Sequence, residues 1–401
     1  MGMKVGVFFG GRSVEHEISV ISGLQAIHNF DKTKYDVVPV YMTKDGYMYV
    51  GDSVGKIEEY RDIPSLLKKS VKVMGSREND RFFLVQYPMK RFGNSVYSAI
   101  DVAFPIVHGN NVEDGSLQGY FKTMSVPFVG SDVTASALGM DKCVTKTILK
   151  NNGIPILNCK RVLMKQFFKN TKAILSEIEG EIPYPVVVKP LNLGSSIGVK
   201  KAFDAAELEE ALEAVFQYTG VALVERAVPN LKEINCAVLG DWESAVVSEC
   251  EEPISAHSIL NYSDKYVSNG KTGSKGMGAA KRRFPADILP EMRDKIKDLA
   301  LKTFHALGCC GVARVDFLTD DLSGDIWVNE INTIPGSLSF YLWSQSELSS
   351  GLSYTQLLDK LVELALKRER ENSAFSYSFD INLLADFAHT GLKNGAKRES
   401  R

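Results

Sequence analysis

Two late segments of the chain place charged and polar side chains at spacings that could support chemistry. Arg314 and Asp316 are two residues apart in GVARVDFL, and Glu330 and Asn332 have the same spacing in DIWVNEIN. Alternate side chains of a strand share one face, so each pair should lie on one face of its strand. If the two strands form a hairpin, Asp316 lies near Glu330 and Arg314 lies near Asn332. We therefore predict one guanidinium, two carboxylates and one carboxamide oxygen on a single surface.

Those groups are suited to a hard cation. Mg²⁺ prefers carboxylate and carbonyl oxygens and commonly bridges the phosphates of a substrate. A neighbouring arginine is suited to a developing anion. The second strand breaks at Pro335-Gly336, and its opposite face should direct Trp327 and Ile331 into the core. The simpler interpretation is a solvated hairpin face that carries an Arg–Asp ion pair.

A phosphate site is predicted upstream, in PVVVKPLNLGSSIG. The strand ends near Lys189, and Gly194, Ser195 and Ser196 follow. Glycine allows close backbone approach, while lysine and serine donate to phosphate oxygens. The P-loop pattern GxxxxGK[ST] is absent, and so is the dinucleotide-binding glycine pattern after the first strand. A plain turn with a surface lysine is the competing interpretation.

Two early turns follow predicted strands and carry ionisable groups. Gly10-Gly11 precedes a helix that Ser13 should cap, and Glu15 stands near the start of that helix. His108 ends another strand beside a Glu-Asp-Gly loop. In α/β folds, ligands bind at the carboxyl ends of strands. Glu15 therefore either holds a substrate ammonium or complements the helix dipole.

The stretch 261–283 is long, polar and dotted with glycine. A loop of this length in a compact domain favours an active-site lid or a disordered segment. The pair Lys265-Tyr266 within it favours a lid that excludes water from a reacting centre.

The elements that must position these groups alternate between strand and helix. The N-terminal third predicts a doubly wound parallel sheet, with strands at 4–9, 35–42 and 101–108 and a polar loop at 75–80. Later strands and helices predict a small central α+β region and a larger C-terminal one, with strands at 185–190, 221–226, 233–240 and 246–252 and helices at 139–153, 204–216, 290–307 and 354–369.

Composition excludes several classes of function. The chain has 401 residues, a formal net charge of -2 and six scattered cysteines without a CxxC pair. These features indicate no nucleic-acid partner, disulfide framework or structural zinc. No apolar run has membrane-spanning length, and the N-terminus lacks a signal-peptide pattern. We expect a cytoplasmic α/β protein without a membrane partner.

Taken together, these motifs resemble those of the D-alanine–D-alanine ligases, of the ATP-grasp superfamily. The likeness runs in order from about residue 3 to 345 and includes GGRSVEHEIS, HGNNVEDGSLQG, GMDK, VVVKPLNLGSSIGV, LVER, DKY, RVDF and NEINTIPG. It implies a three-domain ATP-grasp fold: a parallel α/β domain at 1–138, a central α+β subdomain at 139–228 and a C-terminal α+β subdomain at 229–370, followed by a tail at 371–401.

The resemblance also implies the reaction. ATP phosphorylates the carboxylate of one D-alanine, and the amine of a second D-amino acid attacks the acylphosphate. ADP and phosphate leave, and the dipeptide serves peptidoglycan synthesis. ATP and two Mg²⁺, replaceable by Mn²⁺, are the implied cofactors, and a homodimer is the implied assembly.

The implied site residues fall into four groups. Binding of ATP is assigned to Lys142, Lys189, Ser196, Glu225, Arg226, Val228 and Glu233. The metal ions are assigned to Asp316, Glu330 and Asn332. Oxyanion stabilisation is assigned to Arg314 and the N–H of Gly336, while Glu15 holds the first ammonium and connects through Ser195 to Tyr266. Other substrate contacts are assigned to His108, Lys265, Ser339, Tyr341 and Leu342.

Two departures from the family pattern concern the substrates. Val112 stands where the family usually has glycine, and Tyr341-Leu342 stands where the family has the Ser-Leu pair that binds the second substrate. Ser337, Ser339 or the Tyr341 hydroxyl would then replace the missing serine, which leaves D-serine open as the second substrate. An ATP-grasp ligase that joins a different carboxylate and amine also stays open, as does a protein that only binds nucleotide.

Overall fold

The computed structural model describes residues 2–194, 197–254, 282–344 and 351–376. The strands are β1 Met3–Gly10, β2 Tyr35–Met42, β3 Met48–Val50, β4 Val71–Glu78, β5 Arg81–Gln86, β6 Val96–Ile100, β7 Val102–Ile106, β8 Cys159–Leu163, β9 Val186–Pro190, β10 Lys200–Ala202, β11 Val221–Arg226, β12 Leu231–Gly240, β13 Ala245–Val247, β14 Glu252–Pro253, β15 Arg282–Arg283, β16 Gly311–Asp320 and β17 Ile326–Asn332. The helices are α1 His16–Asn29, α2 Ile63–Lys69, α3 Ser116–Thr123, α4 Val133–Met140, α5 Lys142–Asn151, α6 Met164–Lys169, α7 Thr171–Glu181, α8 Ala205–Phe216, α9 Pro290–Ala306, α10 Phe340–Trp343 and α11 Tyr354–Asn372. Within these described ranges, every helix is too short or too polar to cross a membrane.

The first sheet has seven strands in the order β6-β5-β4-β3-β2-β1-β7. The expected parallel pairing is confirmed for β2, β1 and β7, and the other strands pair antiparallel. The loop predicted at 75–80 is wrong, because β4 and β5 form a hairpin there. Asn79 and Asp80 make its tight turn with φ of 48° and 60°, a conformation that Asn and Asp tolerate better than most residues. The predicted cap is also shifted, since α1 begins at His16 and Ser13 Oγ accepts from the N–H of Glu15 at 3.1 Å.

A two-stranded antiparallel sheet of β14 and β15 and two four-stranded antiparallel sheets form the rest of the scaffold. One has the order β10-β9-β11-β8 and packs against α7 and α8 through side chains such as Val188, Leu212 and Val224. The other has the order β13-β12-β16-β17 and packs against α9, where Phe304 meets the core around Val315. Burial of one face of each sheet leaves the opposite faces to form the walls of a cleft.

The last helix, α11, returns to the first sheet. Leu357, Leu358 and Leu361 are buried in the same hydrophobic cluster as the strands of that sheet, together with Leu342 and Trp343. A capping box between Ser353 and Gln356 fixes the start of the helix, a motif that satisfies two otherwise unpaired N–H groups. The segment that follows β17 is therefore held against the N-terminal sheet.

Candidate active site

The hairpin of β16 and β17 has the register expected from the sequence. Arg314 pairs with Asn332, and Asp316 pairs with Glu330. All four line one cavity, on the face opposite the buried side chain of Val315. The prediction that these groups share a surface is confirmed.

A β-bulge at Asn329 changes the alternation upstream of this surface. Glu330 pairs with Asp316, and Val328 pairs with Phe317, the next residue of β16. Asn329 lies between Glu330 and Val328 and is therefore an extra residue in β17. Ile331 is buried in the core as expected, but Val328 rather than Trp327 is the buried residue on the other side of the bulge. The prediction that Trp327 faces the core is wrong, because one inserted residue reverses which face each upstream side chain occupies.

Arg314 and Asp316 form a buried bidentate pair. Arg314 donates from Nε to Oδ1 of Asp316 at 2.6 Å and from Nη2 to Oδ2 at 2.7 Å. Asn332 Nδ2 also donates to Asp316 Oδ2, at 3.1 Å. Burial opposes the charge of Arg314, but Asp316 outweighs it and raises the pKa of Arg314 well above its ordinary value. The simpler interpretation was a solvated hairpin face with an Arg–Asp ion pair. The ion pair is present, but the face is not solvated, since Arg314 is 7% exposed and Asp316 is 9% exposed.

The same surface presents oxygen donors. Asp316 and Glu330 supply carboxylates, and Asn332 supplies a carboxamide oxygen. Within the described ranges, no three His, Cys, Asp or Glu side chains are arranged to hold a metal ion. Two carboxylates, one amide and room for water fit a hard oxygen-preferring cation such as Mg²⁺, which keeps several water ligands.

Lys142 reaches this surface from the first turn of α5. Its Nζ lies 3.2 Å from Glu330 Oε2 and donates to the carbonyl oxygen of Leu193 at 2.8 Å. The N-cap Asp141 fixes the start of α5 by accepting from two backbone N–H groups. Lys142 therefore connects the segment that follows β9 to the carboxylate of Glu330.

Lys189 and Lys146 converge on one buried carboxylate. Lys189, on β9, is close to Glu225 on β11 and donates to Asn329 Oδ1 at 2.9 Å. Lys146 Nζ lies 2.7 Å from Glu225 Oε1. Burial alone would raise the pKa of Glu225, but the two lysines outweigh it and lower that pKa. The interpretation of Lys189 as a surface lysine is wrong, since this residue is 7% exposed.

A cavity opens between the central and C-terminal sheets. Apolar side chains, including Leu157 and Leu318, form part of its wall and give it a surface suited to a flat ring. Residues assigned to ATP from the sequence line it, namely Lys142, Lys189, Glu225, Arg226, Val228 and Glu233.

A second cavity lies against the N-terminal sheet. The predicted residues that line this cavity alone are Glu15, His108, Arg314, Asn332, Gly336 and Tyr341. The two cavities share Lys142, Glu233, Asp316 and Glu330 in their linings. We call the first the nucleotide cavity and the second the acceptor cavity, after the roles that the family resemblance implies for their lining residues.

Glu15 is held in the acceptor cavity between two glycines. A Cβ on Gly194 would lie 2.8 Å from Glu15 Oε2, and a Cβ on Gly109 would lie 2.9 Å from the same oxygen. Gly109 also has a φ of +83°, which favours glycine. These close approaches explain why glycine occupies both positions, and they leave Glu15 6% exposed at the cavity wall.

His108 connects three parts of the chain through a series of hydrogen bonds. Its Nδ1 lies 2.9 Å from the carbonyl oxygen of Ile334 and must donate, because a carbonyl only accepts. Its Nε2 then accepts from Ser22 Oγ at 3.0 Å, and Ser22 Oγ accepts from the N–H of Ser337 at 3.0 Å. Burial lowers the pKa of His108 to about 4. His108 is therefore neutral at pH 7 and positions the segment around Gly336.

Glu113 and Lys146 are site residues that the sequence reasoning missed. Glu113 accepts from the N–H of Gly109 at 2.9 Å and from that of Ile334 at 3.0 Å. Burial raises the pKa of Glu113 to about 8. The Glu-Asp-Gly loop was a signal for Glu113, and the four-residue spacing from Lys142 was a signal for Lys146, because it places both lysines on one face of α5.

The segment after Gly336 is a left-handed turn. Ser337, Leu338 and Ser339 have φ of 49°, 54° and 49°, a region that L-residues adopt at a cost of about 1–2 kcal/mol each. Ser337 Oγ donates to Gln25 Oε1 at 2.6 Å, which ties the turn to α1. Gly336 thereby stays at the cavity wall.

The predicted contacts after this turn separate. Tyr341 lines the acceptor cavity, whereas Leu342 is fully buried in the core around the first sheet. Ser339 Oγ is buried without a hydrogen-bond partner among the described residues. Four further predicted site residues lie outside the described residues, namely Ser195, Ser196, Lys265 and Tyr266.

Comparison with protein families gives two matches that together cover most of the chain. The model described as "D-ala D-ala ligase N-terminus" matches residues 4–131, and the model described as "D-ala D-ala ligase C-terminus" matches residues 148–363. Among curated relatives, a D-alanine--D-alanine ligase of Thermosipho melanesiensis is 37% identical, with 95% of this chain and 98% of the relative covered. One of Caldicellulosiruptor bescii is also 37% identical, with 94% and 98% covered.

Solved structures agree with these matches. The D-alanine-D-alanine ligase from Coxiella burnetii is 26% identical with a TM-score of 0.75, covering 97% of this chain and 98% of that one. The VanG D-Ala:D-Ser ligase from Enterococcus faecalis is 30% identical with a TM-score of 0.74, covering 91% and 100%. With two cavities that meet at Asp316 and Glu330, and with relatives matched over nearly their full length, the chain belongs to the D-alanine–D-alanine ligase family of ATP-grasp enzymes.

Proposed function

We propose that this protein is an ATP-dependent ligase that joins two D-alanines to give D-alanyl-D-alanine for peptidoglycan synthesis. One observation carries the proposal: the nucleotide and acceptor cavities meet at Lys142, Glu233, Asp316 and Glu330. A phosphoryl group at this junction is within reach of both a nucleotide and an acceptor. Such a junction supports transfer from ATP to a carboxylate.

On the nucleotide side, one set of residues binds the phosphates of ATP and another set binds its adenine and ribose. Lys142 and Lys189 contact the ATP phosphates, Ser196 donates to them, and Glu225, Arg226, Val228 and Glu233 bind the adenine and ribose. The support is the shared lining of one cavity, except for Ser196, which rests on the family resemblance alone. The pairing of Lys189 and Lys146 with Glu225 keeps both lysines oriented.

Two divalent cations, Mg²⁺ or Mn²⁺, would be held by Asp316, Glu330 and Asn332. When bound, they neutralise phosphate charge and align the transferring group. Asp316 and Glu330 already face Arg314 and Lys142, so this part of the chain balances charge before any ligand arrives.

On the acceptor side, Glu15 binds the ammonium of the first D-alanine. The carboxylate oxygen of that D-alanine attacks the γ-phosphorus of ATP, and the bond from phosphorus to the ADP oxygen breaks. The amine of the second D-alanine then attacks the acyl carbon and loses a proton. The bond from that carbon to the phosphate oxygen breaks, and phosphate leaves.

The tetrahedral intermediate carries an oxyanion, which Arg314 and the N–H of Gly336 stabilise. Donors that are fixed before reaction are effective because they need no reorganisation. His108 and Glu113 hold the backbone at Ile334 for this purpose. Ser195, Lys265 and Tyr266 keep their family roles in this proposal, with Ser195 and Tyr266 linked to Glu15 and Lys265 at the γ-phosphate.

A D-alanine–D-serine ligase is the second candidate. Tyr341 supplies a phenol at the cavity wall, at a position where the family has serine, and Ser339 is buried. The structural relative with D-Ala:D-Ser in its name supports this candidate.

The test is product identification by mass spectrometry with ATP, Mg²⁺ and D-alanine, alone and with D-serine or D-lactate. We expect D-alanyl-D-alanine and one phosphate per dipeptide. A D-alanyl-D-serine product in excess at equal substrate concentrations would favour the second candidate. No D-amino-acid-dependent phosphate release would refute both, and another acceptor in the panel would identify a different carboxylate–amine ligase.

We also propose a cytoplasmic homodimer, on the basis of the family resemblance. The division at 1–138, 139–228 and 229–370 remains a proposal, supported by one hydrophobic cluster that lies entirely within 139–228, whereas the other two clusters join residues from different ranges. Light scattering of the purified protein would test the assembly.

A further inference from the structure

Three residues on the wall of the acceptor cavity, Arg282, Glu251 and Asn235, have no role in the reaction described so far, and they form a cluster with Tyr341. Arg282 Nη1 donates to Glu251 Oε2 at 3.2 Å. Glu251 Oε1 accepts from Tyr341 Oη at 3.2 Å and from Asn235 Nδ2 at 3.0 Å. All four residues line the acceptor cavity beside Arg314.

The guanidinium of Arg282 is fixed in orientation. Its central carbon lies 3.7 Å above the centre of the Tyr341 ring, a cation–π contact that holds the guanidinium over the ring. The arginine side chain is 14% exposed and that of Glu251 is 4% exposed. Burial and the nearby Glu251 raise the pKa of Tyr341 to about 12, so its hydroxyl stays protonated and donates to Glu251. Ring and carboxylate together determine where the guanidinium points.

The acceptor cavity is otherwise rich in carboxylates. Its acidic lining residues are Glu15, Glu113, Glu233, Glu251, Asp316 and Glu330. Its cationic lining residues within the described part of the chain are Lys142, Arg282 and Arg314. Lys142 forms an ion pair with Glu330 beside the nucleotide cavity, and Arg314 donates two hydrogen bonds to Asp316. An incoming carboxylate therefore meets repulsion from the acidic part of the wall, apart from Glu113, whose raised pKa keeps it mostly protonated at pH 7.

The second amino acid must bring a carboxylate into this cavity together with its amine. Tyr341 stands at the position where the family has a serine hydroxyl for that carboxylate. We propose that Arg282 binds the carboxylate of the second amino acid, while Tyr341 and Glu251 act as positioning residues for its guanidinium. This inference rests on the proposed function. It makes Arg282 the group that selects a free α-carboxylate over an amide or ester.

D-alaninamide is a probe for this role. It has an amine but no carboxylate, so it can act only as the second substrate. In a mixture of D-alanine, D-alaninamide, ATP and Mg²⁺, mass spectrometry measures the ratio of D-alanyl-D-alanine to D-alanyl-D-alaninamide. Effects on ATP binding or on the first substrate cancel in this ratio. The variants are Arg282→Gln and Arg282→Lys, and the matched control is Arg283→Gln, whose half-exposed side chain pairs with Glu252 and Asp287.

We expect wild-type protein to favour D-alanine strongly and Arg282→Gln to lower the ratio by about tenfold or more, the effect of losing one charge-assisted hydrogen bond. Arg282→Lys should give an intermediate ratio, and Arg283→Gln should keep the wild-type ratio. An unchanged ratio in both Arg282 variants, or no preference in wild-type protein, would overturn the inference alone. If wild-type protein makes neither product, the proposed function fails and the inference fails with it.

Discussion

Replacing Arg314 with alanine removes a charge that pairs with Asp316 in the fold and that the proposed reaction requires. Two short charge-assisted hydrogen bonds to Asp316 are lost, at 2.6 and 2.7 Å. Each such bond contributes about 1.5–3 kcal/mol, and breaking a buried ion pair from one side costs about 3–5 kcal/mol. Asn332 keeps one bond to Asp316, so we expect the free energy of unfolding to fall by about 3 kcal/mol, the lower end of that range.

Turnover should fall by much more than this loss of stability would cause in a folded enzyme. Losing one oxyanion donor lowers kcat by about 10²–10³-fold. The nucleotide cavity does not include Arg314 in its lining, so KM for ATP should change by less than about threefold, which is under about 1 kcal/mol.

Release of ADP, coupled to an indicator enzyme, measures kcat and KM at a temperature where circular dichroism shows the variant to be folded. Arg293→Ala is the matched control. Arg293 lies on α9, its Nε is 3.5 Å from Glu249 Oε1, and it lines neither cavity. Wild-type turnover in Arg314→Ala would refute the role in oxyanion stabilisation. A large rise in KM for ATP with kcat preserved would refute the separation of the cavities.

Three further predictions use other parts of the site. His108→Gln should remove an acid sensitivity: the pKa of His108 is about 4 in the folded protein against an ordinary value of 6.5, so wild-type stability falls as pH drops below about 6.5, by about 2 kcal/mol at pH 5. Urea unfolding at pH 7.5 and 5 measures this, and parallel losses in both proteins would contradict it. Gly194→Ala should raise KM for D-alanine by about tenfold with little change in stability, because the new Cβ displaces the flexible Glu15 carboxylate. Gly180→Ala, with nothing within 4 Å of its Cβ, is the control, and equal KM values in the two variants would refute the contact. Lys146→Met should raise KM for ATP and lower stability by about 1–3 kcal/mol, because Glu225 keeps only Lys189. Unchanged KM and melting temperature would exclude that role.

Local patterns predicted the reactive hairpin well. The two-residue spacings of Arg314 with Asp316 and of Glu330 with Asn332 were enough to place all four groups on one surface. The failure at Trp327 has a specific cause, since no residue in DIWVNEIN marks Asn329 as a bulge. That bulge also sends the Asn329 side chain to Lys189, a contact between distant strands that depends on tertiary packing.

Long-range partners could not be predicted from spacing. His108 and Ile334 are 226 residues apart, and Glu113 and Ile334 are 221 apart. Motifs identify such residues singly, but their pairing depends on how the sheets pack. The first sheet shows the same limit, because three buried parallel strands were evident from apolar runs while the antiparallel hairpin of β4 and β5 includes polar and exposed residues that are typical of a loop.

The left-handed turn at 337–339 has a consequence for the order in which parts of the active site fold. Its anchors, Ser22 and Gln25, lie on α1 and are synthesised first, whereas the turn emerges from the ribosome more than 300 residues later. Three residues in this costly conformation persist only where packing and hydrogen bonds impose it. The strands of the N-terminal sheet and α1 can form as translation proceeds, and α1 then serves as a template on which the turn acquires its shape. We expect Gly336 to reach the cavity wall as one of the last events of folding, so that a truncated or partly folded chain binds nucleotide before it can form a peptide bond.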